Sequence, residues 1–375
     1  MNRKQPLFHV VKREHVGRGQ MVLAYVLAVV IAVAVGAVLL SVMGVPFGAF
    51  YQKMFTLGLL DNKFAYKNVE NFIKLFIPLL IVSLALALSF RMRFWNIGGE
   101  GQFPLGALCA GAVAMQLGDS LPRIAVLVLM ALAGMVGGGL YGVIVAVLKV
   151  RYGTNETLLT LMLNYMALYL LAFFGETRGA WNFFLDPQSP RPRFQTFPAN
   201  AQMITIPIGS FSLNVSLLVA LALCAGIFVY LKYTKQGYEI AVVGDSPNTA
   251  RYAGMKVGAI VIRTVFWSAA LIGLAGAFYV SSAGVLSTSL TNDVGWTGII
   301  VAWLAKLNVV GILVASALIT VLQYGAQAAS VTYSSVDANF ADLLQGMILF
   351  AVLAADFFTR FKLARSAPSG EVANK

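Results

Sequence analysis

The feature that most constrains the fold is a set of long apolar stretches without a charged residue. Residues 21–43, 124–148 and 217–231 are almost wholly apolar. A helix of about 20 such residues spans a bilayer, and only 11% of the chain is charged, whereas soluble domains average about a quarter. The sequence therefore predicts an all-α integral membrane protein. The first stretch lacks a small-residue cleavage site, so it is interpreted as a retained span.

The apolar pattern predicts about ten transmembrane helices, some of them short or discontinuous. Spans are expected over residues 21–43, 72–90, 102–117, 124–148, 157–174, 215–231, 264–280 and 340–358. Residues 295–322 form either one span or two short ones that meet at Lys306, Leu307 and Asn308. Two spans leave the basic tail in the cytoplasm, so ten crossings are favoured over nine. Short arms of this kind are the discontinuous helices found in transporters.

Basic residues in the connections set the expected orientation. The leader, residues 1–20, places the N-terminus in the cytoplasm by the positive-inside rule. The transmembrane domain, residues 21–359, then has an extracytoplasmic loop over 175–214 and a cytoplasmic loop over 232–263, and the tail over 360–375 is cytoplasmic. The leader carries Arg3, Lys4, Lys12, Arg13 and Arg18, and the tail carries Arg360, Lys362 and Arg365. Because the basic residues are scattered through the connections, the net charge of +12 does not indicate nucleic-acid binding.

Small and polar residues inside the apolar regions suggest packing contacts and candidate pathway positions. Gly134, Gly138 and Gly142 recur on one face of a span, a spacing that allows close helix contact. Asn155 and Glu156 suit the start of a helix, and Asn164, two turns further on, either bonds across a helix interface or contacts solute.

A glycine-rich segment holds the remaining polar candidates. Residues 91–106 contain four glycines and a proline around Asn96, Glu100 and Gln102. The segment is expected not to form a smooth helix. It is either a broken-helix element that shapes a gate or packs the core, or an ordinary cytoplasmic turn. The pathway or gate candidates are therefore Asn96, Glu100, Gln102, Asn155, Glu156 and Asn164.

Several kinds of chemistry have no matching residues. No acidic residue or histidine lies near the middle of a confident span, which argues against an ion-coupled carrier. There is no phosphate-binding loop, catalytic triad or metal-ligand pattern. His9 and His15 both lie in the leader, and Cys109 and Cys224 lie in apolar segments, where buried side chains are expected. The sequence therefore predicts neither an enzyme nor a metal-binding protein.

Residues 244–258 predict a short helix over 247–253 with a start signal and a stop signal. Ser246 can cap the first turn, Pro247 suits the first position and Gly254 suits a left-handed end. So short a helix is marginal alone, and it is too polar for a core. A groove on another protein is therefore expected to hold it.

The sequence resembles the permease subunits of bacterial ABC importers in the ribose and branched-chain amino acid permease superfamily, and most of all the nucleoside-type branch. Four stretches match in order: FWNIGGEGQ from Phe94, GTNETLLTLMLNY from Gly153, GDSPNTARYAG from Gly244 and GWTGIIVAWLA from Gly295. Trp95, Ile300 and Trp303 depart from the usual motifs by being bulkier.

The resemblance implies a subunit in the bacterial inner membrane that imports a small polar solute, most of all nucleosides. A monosaccharide is the alternative, and ion-coupled transport is a further one. The implied partners are a second permease subunit, identical or paralogous, an ATP-binding subunit that holds ATP and Mg²⁺, an extracytoplasmic substrate-binding protein and membrane lipid. No cofactor is expected on this chain. The coupling helix contacts the ATPase in that family, a role that falls here to Gly237, Asp245, Asn248, Ala250, Arg251, Tyr252 and Gly254.

Overall fold

The computed structural model describes residues 8–12, 17–60, 65–333, 335–337 and 339–365. Arg3, Lys4, Arg13 and His15 of the leader, and the tail after Arg365, lie outside these ranges. The helices are α1 Arg18–Val42, α2 Phe47–Phe55, α3 Ala65–Arg91, α4 Gly99–Leu117, α5 Arg123–Tyr152, α6 Glu156–Glu176, α7 Val215–Tyr233, α8 Lys235–Asp245, α9 Pro247–Tyr252, α10 Val257–Ala283, α11 Val294–Leu304, α12 Val309–Ser330 and α13 Phe340–Arg360. The strands are β1 Phe8–Lys12, β2 Thr205–Ile208, β3 Phe211–Asn214 and β4 Phe361–Arg365.

The expected class, an all-α integral membrane protein, is confirmed. Within the described residues, eight helices are long and apolar enough to cross a bilayer, namely α1, α3, α5, α6, α7, α10, α12 and α13. The expected count of ten adds α4 and α11. With 11 residues, α11 is about 16 Å long, which is too short to cross a hydrocarbon core of about 30 Å alone.

The helix break expected at Lys306, Leu307 and Asn308 is present between α11 and α12. Lys306 and Leu307 both have positive φ angles, 50° and 59°. Arg91 donates from Nε and Nη2 to the carbonyl oxygen of Leu307, at 3.2 and 2.9 Å. The Oδ1 atom of Asn308 accepts from the backbone amides of Val310 and Gly311, at 3.0 and 3.2 Å. The break is therefore held from both sides, by a guanidinium and by a helix cap.

Residues 57–324 form one compact unit, with α3 at its centre. Every residue of α3 from Ile77 to Phe90 is buried, as expected for a helix that is apolar on all sides. The predicted glycine face of α5 packs closely against α10. A β-carbon added at Gly138 would lie only 2.8 Å from Cα of Gly273, and one at Gly134 would lie 2.8 Å from Cβ of Ala277.

Residues 1–56 and 325–375 form the second unit, and the boundary falls within α12. In its described part, α1 packs along α13, and Tyr25 Oη donates to Asp356 Oδ1 at 2.5 Å. Strand β1 pairs antiparallel with β4, with Phe8 opposite Arg365. The first and last described segments of the chain therefore lie side by side.

Two helices begin earlier than the hydropathy pattern indicates, and polar residues before the expected start of each are bonded to neighbours, namely Asn68 and Glu70 in α3 and Arg263 in α10. Helix α3 begins at Ala65 rather than residue 72. Its Asn68 donates to the carbonyl of Leu57 at 2.9 Å, and its Glu70 accepts from the amide of Ser212 at 2.7 Å. Helix α10 begins at Val257 rather than residue 264. Helices α2 and α8 were not expected.

The expectation of irregular backbone is met in the first part of the segment, where residues 92–98 are non-helical and Arg93 has a φ of 56°. It is wrong around Glu100, since α4 begins at Gly99 and continues through Pro104. Amides at this helix start find side-chain acceptors. Asn96 Oδ1 accepts from the amide of Gly98 at 3.0 Å, and Asn164 Oδ1 accepts from the amide of Gly101 at 2.8 Å. These bonds satisfy donors that a helix start otherwise leaves free.

Candidate functional site

The short helix α9 has the ends that the sequence predicts. Ser246 Oγ accepts from the amide of Thr249 at 3.2 Å, and Pro247 occupies the first helical position. Gly254 follows the helix with φ of +76°, in the left-handed region that suits glycine. Helix α9 ends at Tyr252, one residue earlier than expected.

One residue fixes α9 to the protein and the rest of its surface faces outward. Ala250 is completely buried, whereas Tyr252 is 94% exposed. Asp245, Asn248 and Arg251 are also exposed. Of the seven residues assigned to coupling, Asp245, Asn248, Arg251 and Tyr252 therefore form an outward polar surface, which we call the α9 surface. Ala250 supports that surface from behind.

Helix α8, which leads into α9, is held tightly against the spanning helices. A β-carbon added at Gly237 would lie 2.6 Å from the carbonyl oxygen of Leu231, and one at Gly244 would collide with the carbonyl oxygen of Arg91. Arg263 Nη2 on α10 pairs with Glu239 Oε2 on α8 at 2.8 Å. Helix α8 therefore contacts α3, α7 and α10. Gly237, which the sequence assigns to coupling, lies in this packing, and its role in coupling stays a prediction.

Glu100 caps the start of the short helix α11. The carboxylate is 3% exposed, and its Oε2 accepts from the amide of Gly295 at 2.9 Å. Asp293, at the cap position of α11 itself, makes no side-chain cap bond. A negative charge near a helix N-terminus is stabilised by the helix dipole. Glu100 therefore connects α4 to α11, the short helix that precedes the break at Lys306, Leu307 and Asn308.

The polar candidates near Glu100 form a buried network with α6. Asn96 and Gln102 bond to each other through their side-chain amides at 3.1 and 3.2 Å. Asn164 Nδ2 donates to the carbonyl of Ile97 at 2.9 Å, while its Oδ1 holds Gly101. Asn164 therefore makes an interhelical contact of the kind expected. Its contact with solute stays a prediction, as it does for Asn96, Gln102 and Glu100.

Asn155 and Glu156 act at the start of α6. Asn155 Oδ1 caps the helix by accepting from the amide of Leu158 at 3.2 Å. Glu156 is buried and pairs with Lys149 on α5. The capping interpretation of this segment is confirmed, and nothing in the structure tests a role of either residue in solute passage.

Sequence reasoning missed Thr160, which lies one turn before Asn164. Its Oγ1 accepts from the amide of Ile97 at 3.2 Å. The available signal was the spacing of four residues, which places Thr160 and Asn164 on one helix face.

The unusual tryptophans occur as a pair. Trp95 and Trp303 stack with centroids 5.3 Å apart and planes 13° apart, and Phe90 lies 5.9 Å from each ring. The two departures from the motifs therefore compensate each other by packing together.

Discontinuous helices, buried interhelical amides and a rigidly mounted polar helix together define a membrane-embedded transport subunit. The chain belongs to the family described as "Branched-chain amino acid transport system / permease component", whose model matches residues 68–353. It is a permease subunit of the ABC transporter class.

Three relatives of known description cover most of the chain. The glucose ABC transporter permease protein TsgB13 of Haloferax volcanii is 30% identical over 90% of this chain and 88% of its own length. The nucleoside ABC transporter permease protein NupB of Lactococcus lactis is 29% identical over 73% of this chain and 76% of its own length. The guanosine ABC transporter permease protein NupP of Bacillus subtilis is 26% identical over 92% of this chain and 96% of its own length.

Proposed function

We propose that this permease forms the membrane pathway of an importer for nucleosides, driven by a separate ATP-binding subunit. The observation that carries the proposal is the α9 surface. It belongs to a polar helix of six residues with one buried alanine, and this helix follows α8, which packs against α3, α7 and α10. The nucleoside and guanosine permeases among its relatives support the choice of solute.

In this mechanism the energy source lies outside the chain. ATP and Mg²⁺ bind the partner ATPase, whose closure displaces α9. Since α8 and α9 are packed against spanning helices, the displacement biases the subunit between two packed arrangements that expose the pathway to opposite sides. The ATPase must interact differently with the two arrangements, because a partner with equal affinity for both shifts nothing.

The orientation follows from charge. The contact of Gly244 with Arg91 puts α9 at the membrane face where α3 ends. Lys149 and Arg151, at the end of α5, add positive charge at that face. We assign this face to the cytoplasm by the positive-inside rule, together with both ends of the chain. A second permease subunit completes the pathway, and an extracytoplasmic binding protein delivers the solute.

A monosaccharide is the second candidate solute. It is favoured by the glucose permease of Haloferax volcanii, which matches at 30% identity along 90% of this chain. In either case the pathway is expected to bind the solute weakly, with affinity residing in the delivery protein.

The test is uptake in cells that carry the complete transporter, with radiolabelled guanosine as the probe. Unlabelled uridine, ribose, glucose and galactose are added separately in excess. We expect uridine to compete and the sugars not to compete. Uptake is expected to stop when ATP is depleted and to persist when the membrane gradient is collapsed with an ionophore at constant ATP.

Two results would contradict the proposal in different ways. Absence of guanosine uptake, together with ATP-dependent uptake of radiolabelled glucose or ribose, would move the solute class to monosaccharides and leave the ATP-driven mechanism intact. Uptake that survives ATP depletion and collapses with the gradient would instead support an ion-coupled carrier.

A further inference from the structure

A cavity of about 470 Å³ opens at the membrane face that carries α9. Its walls come from the turn after α3, the end of α5, the α8–α9 junction and the start of α10. The lining residues include Met92, Arg93, Phe94, Lys149, Arg251 and Lys256. The cavity shares Arg251 with the α9 surface, and its other lining residues lie outside that surface.

The charge of the cavity is strongly one-sided. Four of its lining residues are cationic and none is acidic. Lys149 is engaged by Glu156 and lies 5.7 Å from the centroid of the Phe94 ring. Arg93 and Lys256 are exposed and form no ion pair within the described residues. Arg251 hydrogen-bonds only within its own helix, to Asn248 at 3.2 Å.

The cavity also has an apolar wall. Phe94 and Met92 are buried at its base, and the valines Val150, Val257 and Val261 line it at the ends of spanning helices. Cations beside aliphatic side chains at the bilayer boundary match an amphiphile with an anionic head. A free anion has no use for the valines, which lie at the ends of the spanning helices α5 and α10, where the glycerol and first acyl carbons of a lipid are expected.

We propose that this cavity binds the headgroup of an anionic phospholipid, with the phosphate between Arg93 and Lys256 and the glycerol against the valines. Basic pockets between membrane helices on the cytoplasmic side bind such headgroups, and each basic residue near an anionic membrane surface contributes favourably. Because Arg251 belongs to both the cavity and the α9 surface, a bound headgroup would also hold one residue of the proposed ATPase contact. This consequence, unlike the lipid binding itself, rests on the proposed function.

The experiment is native mass spectrometry of the full-length purified chain with added cardiolipin, phosphatidylglycerol or phosphatidylcholine. We expect the two anionic lipids to bind and phosphatidylcholine to bind weakly. The double variant Arg93→Gln with Lys256→Gln is expected to lose affinity for cardiolipin on the order of 25-fold, about fivefold for each cation. The conservative variant Lys256→Arg should retain binding.

The matched control is Arg151→Gln with Lys235→Gln, which removes the same charge from the same face outside the cavity. Its affinity is expected to change less than about twofold. The thermal unfolding midpoint of each variant, measured without lipid, separates lost binding from lost folding.

Three results would overturn the proposal. Equal losses in both double variants would show general charge attraction, and displacement of lipid by equimolar inorganic phosphate would show a site for free anions. Displacement of lipid by one equivalent of the ATPase subunit would assign the cavity to protein docking. None of these three results depends on which solute the protein transports.

Discussion

At the scale of single residues, Glu100 has the most unusual position in the molecule. It is an acidic side chain buried inside a membrane protein and bonded to the amide of Gly295, 195 residues further along the chain. Glu100 lies in the first turn of α4, so it is not an acidic residue near the middle of a span. This carboxylate caps α11, because that helix starts within the protein, where Gly295 is buried and its amide needs an acceptor.

Glu100→Ala is expected to destabilise the protein by about 1–3 kcal/mol, because a buried amide loses its acceptor. Glu100→Gln, which keeps an acceptor oxygen, should recover most of that loss. Thermal unfolding of the detergent-solubilised protein measures both effects. The control is Glu176→Ala, which removes an exposed carboxylate at the end of α6. Unchanged stability of the alanine variant would exclude the cap, and a stable but inactive glutamine variant would give the negative charge itself a role in transport.

At the scale of elements, α9 combines a rigid mount with an exposed polar surface. Its neighbours allow little adjustment, since a side chain at Gly244 would collide with the backbone of α3. A helix this short contributes little stability of its own. Its conformation therefore comes from its caps and from the buried Ala250, and its outward residues remain available to a partner.

Arg251→Glu is expected to reduce solute uptake at least about tenfold while leaving the amount of protein in the membrane unchanged. Charge reversal at a protein contact places like charges together or removes an attractive pair, either of which costs several kcal/mol. Uptake in whole cells and immunoblotting of membranes measure the two quantities. Arg151→Glu, a reversal on the same face but outside α9, is the matched control and should transport normally. Normal uptake by Arg251→Glu would remove α9 from the mechanism.

At the scale of the whole molecule, the orientation of the protein in the membrane decides on which side each loop lies. One face collects Arg91, Lys149 and α9, while Arg123, at the other end of α5, bonds to the carbonyl of Met203 in the long loop at 2.9 Å. The excess of basic residues at the first face favours the cytoplasm. The direction of transport depends on this assignment.

A cysteine introduced at position 248 is expected not to react with a membrane-impermeant maleimide added to intact cells, and to react after the membrane is opened. Ser210→Cys, in the exposed turn between β2 and β3, should react in both conditions. Both variants are made with Cys109 and Cys224 replaced by alanine, because these are the free thiols of the described chain. Labelling of position 248 from outside would reverse the orientation and end the coupling proposal.

Sequence and structure agree best where the determinants are local. The ends of α9 depend on residues within nine positions of one another, Ser246 to Gly254, so the local sequence is sufficient to predict where the helix begins and ends. The break after α11 is similarly marked by Lys306, Leu307 and Asn308. By contrast, the Glu100 cap joins distant segments. The first turns of α3 are polar, and Arg263 interrupts the apolar start of α10, so hydropathy does not indicate that either helix begins so early. Their partners, such as Ser212 and Glu239, are known only once the chain is folded.

The antiparallel pairing of β1 with β4 has a practical consequence for testing the proposed pair of permease subunits. Phe8 lies opposite Arg365 and Lys12 opposite Phe361. Strand β4 of one copy and strand β1 of another therefore lie on the same side of the bilayer. A tandem fusion of two copies therefore needs a flexible tether but no added transmembrane helix. Within such a fusion, each half can carry a different substitution, so the two copies can be altered independently.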